Sequence, residues 1–167
     1  MDITLPYFSN YPILQRDEIL MRQVVMSDIP NIIELTYYDA KPATSSEEAI
    51  RIHDKINQDF KAGQCYNWLI IDQSIDKIVG TCSYHGGFDN KTGELGCVLK
   101  PQYRGKGYMT KALELAIDFG FDVLALEKII AVTTKTNEKA ITLLERIGFS
   151  LVEKIDSGSV TYQRERA

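Results

Sequence analysis

Two glycines separated by a lysine lie between an apolar run and a helix-like pattern, in a stretch that could bind phosphate. The stretch reads Leu99-Lys-Pro-Gln-Tyr-Arg-Gly-Lys-Gly-Tyr-Met109. The N-terminus of a helix carries roughly +0.5 charge and unpaired N–H donors, and glycines just before it let a ligand approach the backbone. Residues 102–109 could therefore cradle a pyrophosphate. A plain strand-to-helix turn, in which Gly105 and Gly107 only supply positive φ, would use the same residues.

Two familiar phosphate-binding motifs do not fit this stretch. A Walker A loop ends in Gly-Lys-Ser/Thr, whereas Lys106 is followed by Gly107 and Tyr108. A dinucleotide-binding fingerprint needs its third glycine where Thr110 stands, and it would follow the first strand of the chain rather than a later one. The mismatches argue against ATP hydrolysis and against NAD binding.

A second group of residues, downstream of the glycine turn, narrows the possible functions of that turn. It reads Asn137-Glu-Lys-Ala-Ile-Thr-Leu-Leu-Glu-Arg-Ile-Gly-Phe149. Joined to Gln102-x-x-Gly-x-Gly107, it resembles the GNAT superfamily of acyl-CoA N-acyltransferases. Glu94-Leu-Gly-Cys, the Arg-Gly-Lys-Gly-Tyr run and the terminal Gly-Phe are most similar to the RimJ/RimL-type branch. The resemblance is strongest over residues 94–152 and extends upstream to Trp68-Leu-Ile.

The resemblance implies a cofactor and a place for it. The pyrophosphate of acetyl-CoA is expected on the glycine turn, and the pantetheine arm along the fourth strand. The thioester would end in a gap where the fourth and fifth strands splay apart. The residues expected to bind acetyl-CoA are Cys97, Val98, Leu99, Arg104, Gly105, Lys106, Gly107, Tyr108, Met109 and Asn137. Asn137 is also suited to cap the short helix that follows it, and no metal is expected.

The reaction that the resemblance implies is attack of an amine on a thioester. A protonated amine has no lone pair, so a group must remove a proton. An α-amine titrates near ~8 and a lysine near ~10.4, so a protein N-terminus needs less help. Glu94 opens the fourth strand and is the candidate base, directly or through water. The alternative is a carboxylate that only faces solvent or accepts hydrogen bonds at a strand edge.

Four aromatic or imidazole side chains are candidates for the acceptor pocket. Tyr84 and His85 end the strand next to Glu94, and Tyr37 and Tyr38 lie near the loop between the first two helices. His85 could instead be a surface residue of a glycine-rich loop, and the tyrosines could be core residues. Loops 39–45 and 86–93 are expected to shape the pocket.

Three functions remain open. The first is an acetyl-CoA-dependent N-acetyltransferase that modifies a protein N-terminal α-amine, such as that of a ribosomal protein. The second has a small amine as its acceptor: a polyamine, an amino acid or an aminoglycoside. The third is a sensor that binds acyl-CoA without turnover. Leu144 and Ala140 stand where many relatives carry a tyrosine or a serine as proton donor, which leaves the general acid unassigned.

The elements that must position these residues follow from periodicity and turn signals. Strands are predicted over residues 18–25, 66–71, 77–84, 94–99, 128–134, 149–155 and 160–164, and helices over 27–38, 46–60, 109–120 and 137–147. We expect an α/β (α+β) fold: a mixed, mostly antiparallel sheet of six to seven strands with a central splayed parallel pair, flanked by about four helices. One domain over residues 1–167 is predicted, with 1–17 as an N-terminal extension.

Composition narrows the class of protein. The 167 residues are 44% apolar with a formal net charge of −4, which gives no basic face for nucleic acid. No apolar run reaches the length of a membrane span, and the start lacks a signal peptide pattern. Three dispersed cysteines indicate buried thiols in a reducing, cytoplasmic setting. A homodimer is expected from the branch that the chain resembles.

Overall fold

The computed structural model describes residues 11–38, 41–154 and 158–167. The first ten residues of the predicted N-terminal extension lie outside the described residues. So do residues 39 and 40 of the first acceptor loop, and residue 155, which was predicted to end a strand. One domain over residues 1–167 therefore stays a prediction.

The described residues form a mixed sheet of eight strands and a separate two-stranded ribbon. The strands in chain order are β1 (Leu14–Arg16), β2 (Ile19–Gln23), β3 (Tyr37–Tyr38), β4 (Lys41–Pro42), β5 (Tyr66–Asp72), β6 (Lys77–His85), β7 (Thr92–Leu99), β8 (Lys128–Thr134), β9 (Ser150–Lys154) and β10 (Ser159–Glu165). The large sheet has the order β1-β2-β5-β6-β7-β8-β10-β9, and β3 pairs with β4 in the ribbon. The predicted fold class is confirmed, with one strand more than the expected six to seven.

The pairing of β7 with β8 is the parallel pair of the sheet, and it is short. Its register joins Thr92 to Lys128, Gly93 to Ile129 and Glu94 to Ile130. Both strands continue past this point, β7 to Leu99 and β8 to Thr134, without pairing to each other. The two strands therefore separate after Glu94 and leave a gap in the middle of the sheet, as the resemblance implied.

Three α-helices accompany the sheet in the described residues: α1 (Ser46–Lys61), α2 (Tyr108–Asp122) and α3 (Glu138–Arg146). The side chain of Ser45 caps α1 by accepting from the Glu48 amide. The predicted packed face of α2 is buried, including Ala112, Ala116 and Gly120. It packs on one face of the sheet, while α1 and the segment before it cover the other face.

The segment 27–38 was predicted to be one helix, and this is wrong. It forms two short 3-10 helices, Met26–Asn31 and Ile33–Leu35, followed by β3. Pro30 lies inside the first of them. Because proline lacks an N–H donor and disfavours α-helical geometry in the residue before it, a continuous α-helix cannot form there. The three-residue strand β1 was missed because so short a run carries no clear periodicity.

No helix in the ranges that the structure describes is both long enough and apolar enough to span a membrane.

Tyr84 lies in the core beneath α2 and is also among the residues that line the cavity described below, so its place at the acceptor pocket stays a prediction. The residue is 0% exposed, and its hydroxyl donates to the Ala116 carbonyl at 2.6 Å. Successive side chains of a strand point to opposite faces, so Ser83 and His85 face the other side. A Cβ added at Gly120 would overlap the Tyr84 hydroxyl.

We expect the new methyl group of Gly120→Ala to overpack the Tyr84 site at a cost of about 1–3 kcal/mol in the free energy of unfolding. A gain of about 1 kcal/mol in helix propensity offsets part of this cost, so the net loss is up to about 2 kcal/mol. Urea denaturation of the two single variants and the double variant measures it. In a Tyr84→Phe background the hydroxyl is gone, so the cost of Gly120→Ala should shrink. Equal costs in the two backgrounds would contradict the contact.

Candidate active site

The glycine turn between β7 and α2 has the geometry of an open backbone cradle. After a 3-10 turn at Pro101–Tyr103, Gly105 and Gly107 take φ values of 73° and 85°, and Gly107 is the N-cap of α2. A Cβ at either glycine would meet nothing within 4 Å. The left-handed backbone requires glycine here, and the space beside it is open to a ligand.

The groups around this turn suit an anion. Within the described ranges, no carbonyl or side chain accepts from the amides of Gly105, Lys106 and Gly107. Arg104 and Lys106 are exposed and have no ion-pair partner among the described residues. Unpaired amides, the start of a 15-residue helix and two cations together fit a diphosphate.

Two polar contacts hold the first turns of α2 against the sheet. The Tyr108 hydroxyl donates to Asp72 Oδ2 at 2.6 Å, and the Lys111 ammonium binds the Glu18 carboxylate. The hydrogen bond to Asp72 raises the pKa of the Tyr108 phenol to about 12. The hydrogen bond to Glu18 raises the pKa of Lys111, so both groups keep their protons at neutral pH. The position of the turn is therefore fixed by β5 and the turn between β1 and β2 as well as by β7.

The strand that precedes the turn has one edge free. Cys97, Val98 and Leu99 pair with Cys82, Thr81 and Gly80 of β6. On the other side, pairing with β8 has already ended at Glu94. A linear ligand could lie in the gap along this edge and bond the main chain of β7, which is the place predicted for the pantetheine arm. The three cysteines are free thiols, with Cys97 half-buried.

A cavity of about 670 Å³ lies on the α1 side of the sheet and reaches the gap. Val132 of β8 and Cys97 of β7 both line it, although the two strands no longer pair there. Other lining residues from the sheet and α1 include Ser83, His85, Glu94, His53 and Asp59. Among the residues that the structure describes, no lysine or arginine lines the cavity, and the fixed charges at its wall are carboxylates.

Glu94 and His85 face each other at the mouth of the gap. They are directly opposite on β7 and β6, with Glu94 Oε1 3.3 Å from His85 Nε2. Their side chains are 32% and 50% exposed. The structure thus brings the predicted base and one predicted pocket residue into contact, and both border the cavity.

Tyr37 and Tyr38 also line the cavity, from β3. Tyr38 donates to Asp59 Oδ2 at 3.2 Å, and the Lys55 ammonium lies 4.5 Å from the centre of its ring. Tyr37 is more exposed, at 39%. Both tyrosines therefore lie at the cavity, and their role in binding the acceptor stays a prediction.

Sequence reasoning missed two cavity residues on α1, His53 and Asp59. His53 is buried, its Nε2 lies 3.2 Å from Asn57 Nδ2, and burial lowers its pKa. The imidazole is neutral at pH 7. Both residues flank the apolar stripe of Ile52 and Ile56, and a polar residue beside such a stripe was the available signal.

Asn137 caps α3, as the sequence predicted for one of its two roles. Its Oδ1 accepts from the Ala140 amide at 3.3 Å, and its Nδ2 donates to Thr133 Oγ1 at 3.2 Å. Leu144, which stands at the position of the missing tyrosine, is buried in the core. It supplies no proton donor to the gap.

Comparison with known proteins agrees with this architecture. Residues 18–150 match the family described as Acetyltransferase (GNAT) domain. The Spermidine N(1)-acetyltransferase of Escherichia coli (strain K12) is 42% identical over 62 residues, 37% of this chain and only 33% of that enzyme. The Uncharacterized N-acetyltransferase YoaA of Bacillus subtilis (strain 168) is 26% identical over 147 residues, 83% of each chain.

A solved structure shows the same fold. The Ribosomal-protein-S5-alanine Acetyltransferase from Vibrio fischeri superposes with a TM-score of 0.76 at 22% identity, over 92% of this chain and 96% of that one. Since the family match spans residues 18–150, most of the chain, the chain belongs to the GNAT acetyltransferases, enzymes that use acetyl-CoA.

Proposed function

We propose that this enzyme acetylates the α-amine of a protein N-terminus, with acetyl-CoA in the gap between β7 and β8 and the acceptor in the cavity. The observation that carries the proposal is the position of that gap. It lies between the open glycine turn and a 670 Å³ cavity that Glu94 borders. An acetyl donor and an amine would therefore meet beside one carboxylate.

The residues proposed to hold acetyl-CoA are those of the turn and the free strand edge. The amides of residues 105–107, with Arg104 and Lys106, suit the diphosphate. The main chain of Cys97, Val98 and Leu99 suits the amide groups of the pantetheine arm. An N–H in the gap would stabilise negative charge on the thioester oxygen. The bound group supplies an activated acetyl thioester.

Glu94 is proposed as the base that takes a proton from the acceptor ammonium. It borders the cavity where β7 and β8 separate, and its carboxylate is only one-third exposed. Positioned proton transfer of this kind contributes about 10²–10⁴-fold to a rate. A free thiol has a pKa near ~8.5, so the leaving thiolate departs without a dedicated acid, which agrees with the buried Leu144.

A polyamine is the second candidate acceptor, and the charge of the cavity favours it. Asp59 and Glu94 line the cavity, and no lysine or arginine of the described part of the chain joins them. A molecule with several ammonium groups could place one at Asp59 while another reacts near Glu94. A peptide N-terminus carries one such charge and needs one carboxylate.

We expect Gly107→Glu to weaken coenzyme A binding by ~100-fold or more. A carboxylate beside the diphosphate places like charges together, which costs several kcal/mol. Isothermal titration calorimetry measures the affinity. Gly63→Glu is the matched control, since Gly63 also has a positive φ of 74° and open space. Unchanged affinity of Gly107→Glu would remove the turn from the cofactor site.

We expect Glu94→Gln to lower kcat by about 10²–10⁴-fold while the KM for acetyl-CoA stays the same. Raising the pH toward the pKa of the acceptor amine should narrow the difference, because more of the amine is then already neutral. The exposed Glu127→Gln is the control. A wild-type rate for Glu94→Gln would rule out the base role.

The acceptor is tested by thiol release from acetyl-CoA with N-terminal peptides and polyamines as separate panels. We expect Asp59→Asn to lower kcat/KM for a polyamine about tenfold. For a peptide whose side chains are uncharged, kcat/KM should stay the same. Asp54→Asn, an exposed change on the same helix, is the control. Binding of coenzyme A with no turnover of any amine would favour the sensor instead.

A further inference from the structure

We infer that His85 is a positioning and proton-relay partner of Glu94, seated on Gly96. The inference rests on the proposed role of Glu94 and adds a route by which its proton leaves. It accounts for three features that the proposed function alone does not use: the contact between His85 and Glu94, the glycine at position 96, and the exposure of the His85 imidazole.

The register of the sheet places His85 beside Glu94. His85 is the last residue of β6, and Glu94 is both its antiparallel partner and the last residue of β7 that pairs with β8. The contact therefore lies where the gap opens. His85 is the ion-pair partner of Glu94 among the described residues, so no other cation in those ranges competes for the carboxylate.

The imidazole of His85 packs over Gly96 of β7. Gly96 is two residues beyond Glu94 and so faces the same side of the sheet. A Cβ at position 96 would lie 3.1 Å from His85 Cε1 and 3.6 Å from Nδ1. The first distance is tighter than ordinary packing, so a larger residue would displace the imidazole. The absence of a side chain at 96 lets the ring rest over β7 beside Glu94.

The two ring nitrogens of His85 have different surroundings. Nε2 faces Glu94, whereas Nδ1 has no hydrogen-bond partner among the described residues. The side chain is half exposed, so the ring can exchange protons with water. The ring thus connects the carboxylate to solvent.

The proton balance of the reaction gives this path its use. An ammonium and a thioester yield an amide, a thiol and one proton, and that proton must leave in every turnover. Glu94 takes it while the acceptor fills the cavity. The O–H bond on Glu94 then breaks as an Nε2–H bond forms on His85, and Nδ1 releases a proton to water. Exchange with solvent returns the ring to its starting tautomer. Histidine is the side chain best suited to this near neutral pH.

Chemical rescue of His85→Ala tests the relay. We expect kcat to fall about 10- to 100-fold, less than the full effect of losing a base, with the KM for acetyl-CoA unchanged. Imidazole in the buffer should restore formation of the acetylated acceptor. Pyrazole, which has the same shape and is a far weaker base, should not. A wild-type kcat, equal rescue by both azoles, or no rescue by either would overturn the relay.

A double variant separates this inference from the proposed function. If the two groups act in series, Glu94→Gln with His85→Ala should be no slower than Glu94→Gln alone. Independent, multiplying losses would refute the relay and leave Glu94 as the base. An active Glu94→Gln variant would instead refute the base. The midpoint of urea denaturation checks that each variant is folded, and His85→Gln serves as the second substitution if His85→Ala is not.

Discussion

The site depends on how briefly β7 and β8 are paired. Two parallel strands need a crossover connection, and here that connection is the glycine turn with α2. The turn must therefore follow the carboxyl end of β7, at the same end of the sheet where β7 leaves β8. Three residue pairs hold the strands together, and the pairing stops at Glu94. An anion cradle, a free strand edge and a carboxylate are thus placed together by one feature of the sheet.

The rest of the molecule keeps this arrangement rigid. α2 is buried along one face against the aromatic core around Trp68 and Tyr84. Its first turns are tied to β5 and to the turn between β1 and β2 by the Tyr108–Asp72 and Lys111–Glu18 contacts. Helix N-terminal amides bind an anion well only when they do not have to be moved into place. The polar contacts at the start of α2 hold its first turns against the sheet, and its buried apolar face holds the rest of the helix.

Charge is divided between the two ends of the gap. Arg104 and Lys106 stand at the turn, whereas the cavity wall, as far as the structure describes it, carries Asp59 and Glu94 and neither lysine nor arginine. The first end suits an anionic donor and the second a cationic acceptor. Glu94, the carboxylate proposed as the base, is therefore separated from the cations at the turn. The neutral His53 adds a polar surface without adding charge.

The sequence by itself determined the parts of this protein that rest on local rules. The positive φ of Gly105 and Gly107, the caps at Ser45 and Asn137, and the apolar face of α2 were all predictable, since each follows from a few neighbouring residues. The helix predicted over 27–38 was wrong because the effect of Pro30 outweighed the apolar pattern. The tertiary structure alone decided which way Tyr84 points and which groups meet Glu94. Those contacts join residues on separate strands and helices, and only the register of the sheet brings them together.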